Sequence, residues 1–157
     1  MAVQLDNKDR TLLARLQRGE ESINALADAC DLSPASVQRR LRRLRETGVI
    51  EQTVAVIDPA ALGLAMTFVV TVELERERID QLDAFRRRAI ADPNVQQCYY
   101  VTGEADFVLI CIAADMVAFE ELTRRLFVGD ENVRRFRTSV VLSRTKVGLT
   151  LPIEEAG

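Results

Sequence analysis

Apolar positions in the first 50 residues recur at helical spacing, in three short groups separated by turn residues. Leu12, Leu13 and Leu16 form the first group, with Asp6 as its N-cap and Gly19 as its stop. Ile23, Leu26, Ala27 and Cys30 form the second, capped by Ser22. Ser33 and Pro34 open the third: the serine hydroxyl can take a free first-turn N–H, and proline has no N–H to leave unsatisfied. Val37, Leu41 and Leu44 carry that helix to about Thr47, and Gly48 supplies a left-handed end. Residues 49–57 are rich in β-branched side chains and precede Asp58-Pro59, which predicts a strand or short ribbon.

From Leu64 the period changes from helical to alternating. Met66, Phe68, Val70, Val72 and Leu74 alternate with more polar neighbours, the mark of a strand with one face in a core. Ile79, Leu82, Phe85, Ala89 and Ile90 then predict a helix ending near Asp92-Pro93. Residues 95–102 and 106–113 are two apolar runs joined by Gly103-Glu104-Ala105, a hairpin signal. Met116, Phe119, Leu122 and Leu126 give a second helix, stopped at Gly129-Asp130. Phe136, Thr138, Val140 and Leu142 alternate in a last strand. The order βαββαβ is the ferredoxin-like split βαβ unit. The fold class is α+β: an N-terminal winged-type helix-turn-helix and a C-terminal ferredoxin-like βαββαβ domain. The expected boundaries are 1–51 for the first domain, 52–65 for a linker with a β-ribbon, 66–150 for the second domain and 151–157 for a tail.

Composition narrows the chemistry. The 157 residues contain no histidine, which removes Ser-His-Asp and Cys-His triads, a histidine general base and histidine zinc sites. Cys30, Cys98 and Cys111 lie far apart with no C-x-x-C pair, so they read as reduced core thiols. No catalytic or metal-ligating group and no cofactor is expected. The longest apolar run, residues 107–114, is far short of the roughly 20 residues of a membrane span. The N-terminus has no signal-type apolar segment, and a cytoplasmic location without membrane contact is expected.

The net charge of −3 hides a local pattern. Five arginines, at positions 39, 40, 42, 43 and 45, fall inside seven residues of the third helix. At about 100° per residue, Val37, Leu41 and Leu44 share one direction and can pack inward. Ala35, Ser36, Gln38, Arg39, Arg42 and Arg43 fall on the other side. That face is slim near its start and basic further along, which suits close approach to base edges and phosphates of double-stranded DNA. Ser33 caps the same end. Arg40 and Arg45 flank the apolar stripe, placed to grip phosphates or to tie the helix to its own domain.

These residues also carry a family pattern. Leu5-Asp6-x-x-Asp9, Ile23-x-x-Leu26-Ala27, Leu32-Ser33-Pro34-x-x-Val37-x-Arg39-Arg40-Leu41-x-Arg43-Leu44 and Gly48-Val49-Ile50 resemble the Lrp/AsnC (leucine-responsive/asparagine-responsive) transcriptional regulators. In the second module, residues 101–107 are similar to that family's hairpin and residues 138–146 to its last strand. The resemblance implies a DNA-binding regulator that dimerises through its C-terminal domain, assembles further into an octamer of four dimers, and binds a small amino-acid-like effector. It places the effector between neighbouring dimers. Tyr100, Gly103, Asp106 and Met116 would line one side, with Thr102 and Glu104 in the same hairpin. Thr138, Ser139 and Val140 would line the other. Exposed N–H groups at a glycine turn can hold a carboxylate, and Asp106 an ammonium. The plainer alternative is that Gly103 only makes a tight turn and Asp106 only bonds to nearby backbone. Relative to the family, Glu104 replaces a commoner Asp, Ala105 a frequent aromatic, and Ser139 is small.

Two other functions compete with a ligand-modulated regulator. An architectural protein would use the same helices to organise DNA with little sequence choice. A ferredoxin-like metabolic enzyme or sensor subunit is the third, although no nucleophile–base pair or Gly-rich phosphate loop is visible.

Overall fold

The computed structural model describes residues 3–20 and 22–154. Helix α1 spans Asn7–Gln17 and starts on a reciprocal cap: the Asp6 carboxylate accepts the Asp9 N–H, and the Asp9 carboxylate accepts the Asp6 N–H. Ser22 caps α2 (Ile23–Cys30) and Ser33 caps α3 (Pro34–Glu46), with Pro34 at the first helical position. Between α2 and α3 the chain turns through Asp31 at φ 49°, a left-handed position that aspartate tolerates better than most residues. Helix α3 ends where Gly48 (φ 73°) turns the chain and Ile50 N–H returns to the Leu44 carbonyl. Leu12, Leu26, Ala27, Cys30, Val37 and Leu41 form the core of this unit.

The 49–57 ribbon does not form. Residues 51–58 carry no strand, and Val54, Val56 and Ile57 are exposed. Strand propensity alone cannot hold one extended segment; it needs a partner strand to meet its backbone groups. A short 3₁₀ turn, Pro59–Leu62, follows.

The second unit is a four-stranded antiparallel sheet in the order β2-β3-β1-β4, with β1 Met66–Leu74, β2 Val95–Tyr100, β3 Phe107–Ala113 and β4 Val133–Val140. Two helices, α4 (Ile79–Ala91) and α5 (Met116–Thr123), cover one face. On β1 the alternate residues Phe68, Val70, Val72 and Leu74 point to that face, buried with Phe85, Phe107, Leu109 and Phe119. The opposite face of β1, with Thr67, Val69 and Thr71, is only half-buried.

Three details depart from the sequence pattern. Ile79 and Ile90 are exposed, because on the helical wheel both lie about 60–80° to one side of Leu82, while Phe85 and Ala89 lie to the other. Beyond Thr123 the helix widens into a π turn, Arg124–Val128, which buries the adjacent Leu126 and Phe127 together. Strand β4 ends at Val140, leaving Leu142 in the open.

The chain divides into a helical unit, running to Ala55 and including the segment from Lys146 onward, and a sheet unit, Val56–Thr145. Gln17 ties the returning segment to α1: its amide nitrogen donates to the Leu151 carbonyl (3.1 Å) and its oxygen accepts the Leu151 N–H (2.6 Å). Among the described residues no helix is long and apolar enough to cross a membrane.

Candidate DNA-reading helix and effector site

Val37, Leu41 and Leu44 are buried, and that fixes which face of α3 looks outward. Ala35, Gln38, Arg39 and Arg42 are exposed, and Ser36 is half-buried. The Ser33 hydroxyl accepts the Ser36 N–H (3.2 Å) and donates to the Ser36 hydroxyl (3.0 Å). Arg39 donates to that same Ser36 oxygen at 3.3 Å, and Arg42 reaches only Glu46 on its own helix at 3.1 Å. Such exposed pairs hold little energy and yield readily to a phosphate.

Arg40 and Arg43 behave differently. Arg40 Nη1 donates to Asp6 (2.7 Å) and to Asp9 (2.8 Å), and Arg43 Nη2 donates to Asp9. Arg43, expected among the outward residues, is exposed, but its guanidinium turns back to Asp9 of α1. Sequence reasoning missed Asp9 as the anchor. The signal was present, since Asp9 continues the stripe of Leu12 and Leu16 at helical spacing and so occupies a position that faces the core.

The Asp9 N–H and then the Arg40 guanidinium hold the Asp6 carboxyl below its usual range, and Asp6 in turn raises Arg40. A depressed carboxylate stabilises the fold above its unfolded pKa, and that contribution fades as pH falls through the lower folded value. The urea midpoint of the helical signal is expected to drop below about pH 4, the ordinary aspartate range. Asp6→Asn, which keeps the cap but cannot titrate, is expected to flatten that part of the profile.

In the sheet unit the expected effector residues fall into two groups. Tyr100 ends β2 and packs on Phe107, with ring centroids 5.2 Å apart. The Arg86 guanidinium lies 5.0 Å from the Tyr100 ring centre, and the Tyr100 hydroxyl donates to Glu77 at 3.3 Å. Burial, with Glu77 adding to it, pushes the Tyr100 phenol up. Thr102, Gly103 and Glu104 form the exposed turn beyond it. Gly103 has φ 119°, where a side chain would be strained even though the space around it is open. Asp106 anchors the turn: its N–H donates to the Val72 carbonyl (2.9 Å) and its carboxylate accepts the Leu74 N–H (2.6 Å), beside the bulge at Glu73/Leu74.

The second group lies across β1 from the hairpin and further along the strand. Phe107, next to Asp106, pairs with Val72, whereas Val140 pairs with Phe68, four residues along β1 or about 13 Å. Alternation puts Thr138 and Val140 on the helix side and Ser139 on the open side, and all three are exposed. Met116, at the start of α5 and exposed, follows the end of β3 that is distant from the hairpin. One chain therefore does not bring the hairpin together with Met116 and residues 138–140. Glu77 and Arg86 are polar neighbours of Tyr100 that sequence spacing alone did not single out.

Two of the thiols, Cys98 and Cys111, offer no reactive group here. Burial, then the nearby Asp92, pushes Cys111 up to about 12, and burial also raises Cys98. Among the described residues no cluster of three or more His, Cys, Asp or Glu forms a metal-binding group.

A basic helix outward on a helix-turn-helix, joined to a ferredoxin-like unit with an exposed glycine hairpin, defines a DNA-binding protein with an appended sensing or assembly module. Residues 5–51 match the winged helix-turn-helix DNA-binding model and residues 67–151 match the Lrp/AsnC ligand binding domain. The chain belongs to the Lrp/AsnC family of DNA-binding transcriptional regulators. It is 44% identical to an uncharacterized HTH-type transcriptional regulator of Sinorhizobium fredii, over 98% of this chain and 91% of that one. It is 32% identical to the leucine-responsive regulatory protein of Rhizobium meliloti, over 92% of this chain and 93% of that one. Its structure is similar to that of a Neisseria meningitidis transcriptional regulator in complex with L-Met, with TM-score 0.85, 29% identity and coverage of 95% and 97%.

Proposed function

We propose that this regulator reads double-stranded DNA with Ala35, Ser36, Gln38, Arg39 and Arg42, and that an amino acid or similar amphoteric metabolite modulates the binding. The placement of the two effector groups carries the second part. Residues 100–106 lie beside the Val72 end of β1, whereas residues 138–140 pair with Val70 to Phe68 on its other side, so we infer that a pocket using both is completed by a neighbouring copy. Assembly through the half-buried sheet face of Val69 and Thr71 would supply those copies, as a dimer and then a ring of dimers. The L-Met held by the Neisseria relative supports an amino acid as the ligand. The protein acts in the cytoplasm, without catalysis, where the DNA is.

Thermal-shift screening of the full chain against the twenty amino acids is expected to give at least one hit, because a ligand of the folded state raises its apparent stability. That hit should change the affinity for an operator duplex, and light scattering at tens of micromolar should show a dimer or larger. No hit among the twenty would leave a regulator that works without an amino-acid effector. A monomer would remove the shared pocket.

A further inference from the structure

Asp9 is a fully buried carboxylate in a unit whose core is otherwise apolar. Burying a charge is costly unless it is paired and hydrogen-bonded. Asp9 meets that condition with three donors: the Asp6 N–H at 3.2 Å, Arg40 Nη1 at 2.8 Å, and Arg43 Nη2. Both guanidiniums come from α3. Arg40 and Arg43 are three residues apart, hence neighbours on one flank of that helix. Arg40 also reaches Asp6, so two arginines face two carboxylates and the cluster as a whole is neutral. On the helical wheel Arg43 lies about as far from the apolar stripe as Arg42 does, on the side nearer Ser36, and its side chain stays 46% exposed, so its bond to Asp9 and not its place on the helix is what holds it.

We propose that Asp9 is a positioning residue that withholds Arg40 and Arg43 from DNA and leaves Arg39 and Arg42, beside Gln38, as the guanidiniums of the reading face. Holding two side chains of α3 one turn apart fixes the helix's rotation about its own axis against α1. The same bonds mask two of its five positive charges. Phosphate contacts raise affinity for every sequence alike, so withholding two guanidiniums lowers non-specific binding more than specific binding. This rests on α3 being the DNA-reading helix, and it adds which of its arginines do the reading.

The test uses the full-length protein and two duplexes: one that the parent protein selects from a random-sequence pool, and a scrambled duplex of equal composition. Binding is followed by fluorescence anisotropy across a salt series. Arg42→Gln is expected to weaken binding roughly tenfold and to shrink the salt slope by about 0.9 for each phosphate it no longer neutralises. Arg43→Gln is expected to stay within about twofold of the parent on both duplexes, with the slope unchanged, because Arg40 still holds Asp9. Asp9→Asn is expected to steepen the slope and to lower the ratio of specific to non-specific affinity, as the released guanidiniums find phosphates. A merely structural role for Asp9 would weaken both duplexes and steepen neither. Loss of affinity in Arg43→Gln equal to that in Arg42→Gln, with a shallower slope, would overturn the proposal even if Asp9→Asn fails to fold. Arg39→Gln and Arg42→Gln both binding like the parent would overturn the assignment of α3 itself.

Discussion

Phe68→Ala is expected to cost the sheet unit about 3–5 kcal/mol, the range for truncating a fully buried phenylalanine. Phe68 is wholly buried in β1, with β3 on one side through Cys111 and β4 on the other through Val140. Its ring stacks on Phe119 of α5 at 3.7 Å between centroids, within 9° of parallel. One side chain thus links the middle of the sheet to the helix above it, and alanine would leave a cavity bounded by strands that cannot close in. The two tyrosines of this tryptophan-free chain, Tyr99 and Tyr100, both lie in β2, so intrinsic fluorescence follows this unit. With a urea dependence of roughly 1–3 kcal/mol per molar, the midpoint should fall by about 2 M. A shift of only a few tenths molar would mean that the Phe68 site collapses around the gap, and that the stack with Phe119 is not what holds α5 on the sheet.

What the sequence made legible was whatever depends on neighbours along the chain. Asp6, Ser22 and Ser33 cap the helices they were expected to cap, because a cap is settled within four residues. The alternation of β1 correctly placed Phe68, Val70, Val72 and Leu74 inside, since one periodic run determines one face. Illegible features depend on distant partners. Residues 49–57 have strand composition but no strand beside them. Ile79 and Ile90 match the helical spacing, yet the wheel turns them off the buried stripe by an angle that spacing alone conceals. Arg43 looked like part of a free basic face because its partner, Asp9, is 34 residues away on another helix. The same holds for the candidate effector residues. Nothing in residues 100–106 or 138–140 says that strand order β2-β3-β1-β4 puts them on opposite sides of β1.

Asp106→Asn is expected to lower affinity for the amino-acid effector ten- to a hundredfold while leaving the fold intact. The carboxylate already accepts the Leu74 N–H at 2.6 Å, so part of its role is to hold the hairpin to the end of β1. Asparagine keeps an oxygen that can accept that N–H, and the bond from the Asp106 N–H to Val72 is backbone and does not change. A carboxylate also has further lone pairs and a full charge, which a ligand ammonium would use. Losing a hydrogen bond to a charged group costs about 1.5–3 kcal/mol, which sets the expected fold-change. Asp106→Ala separates the two roles: it orphans the Leu74 N–H and should also destabilise the hairpin end by about 1–3 kcal/mol. Calorimetry of the parent and both variants, with the amino acid found by thermal shift, reads the ligand role; urea denaturation reads the anchor role. If Asp106→Asn binds the effector as tightly as the parent and only Asp106→Ala is weakened, Asp106 is a backbone anchor and the ammonium is held elsewhere. Glu77, which accepts the Tyr100 hydroxyl beside the same hairpin, is then the next carboxylate to replace.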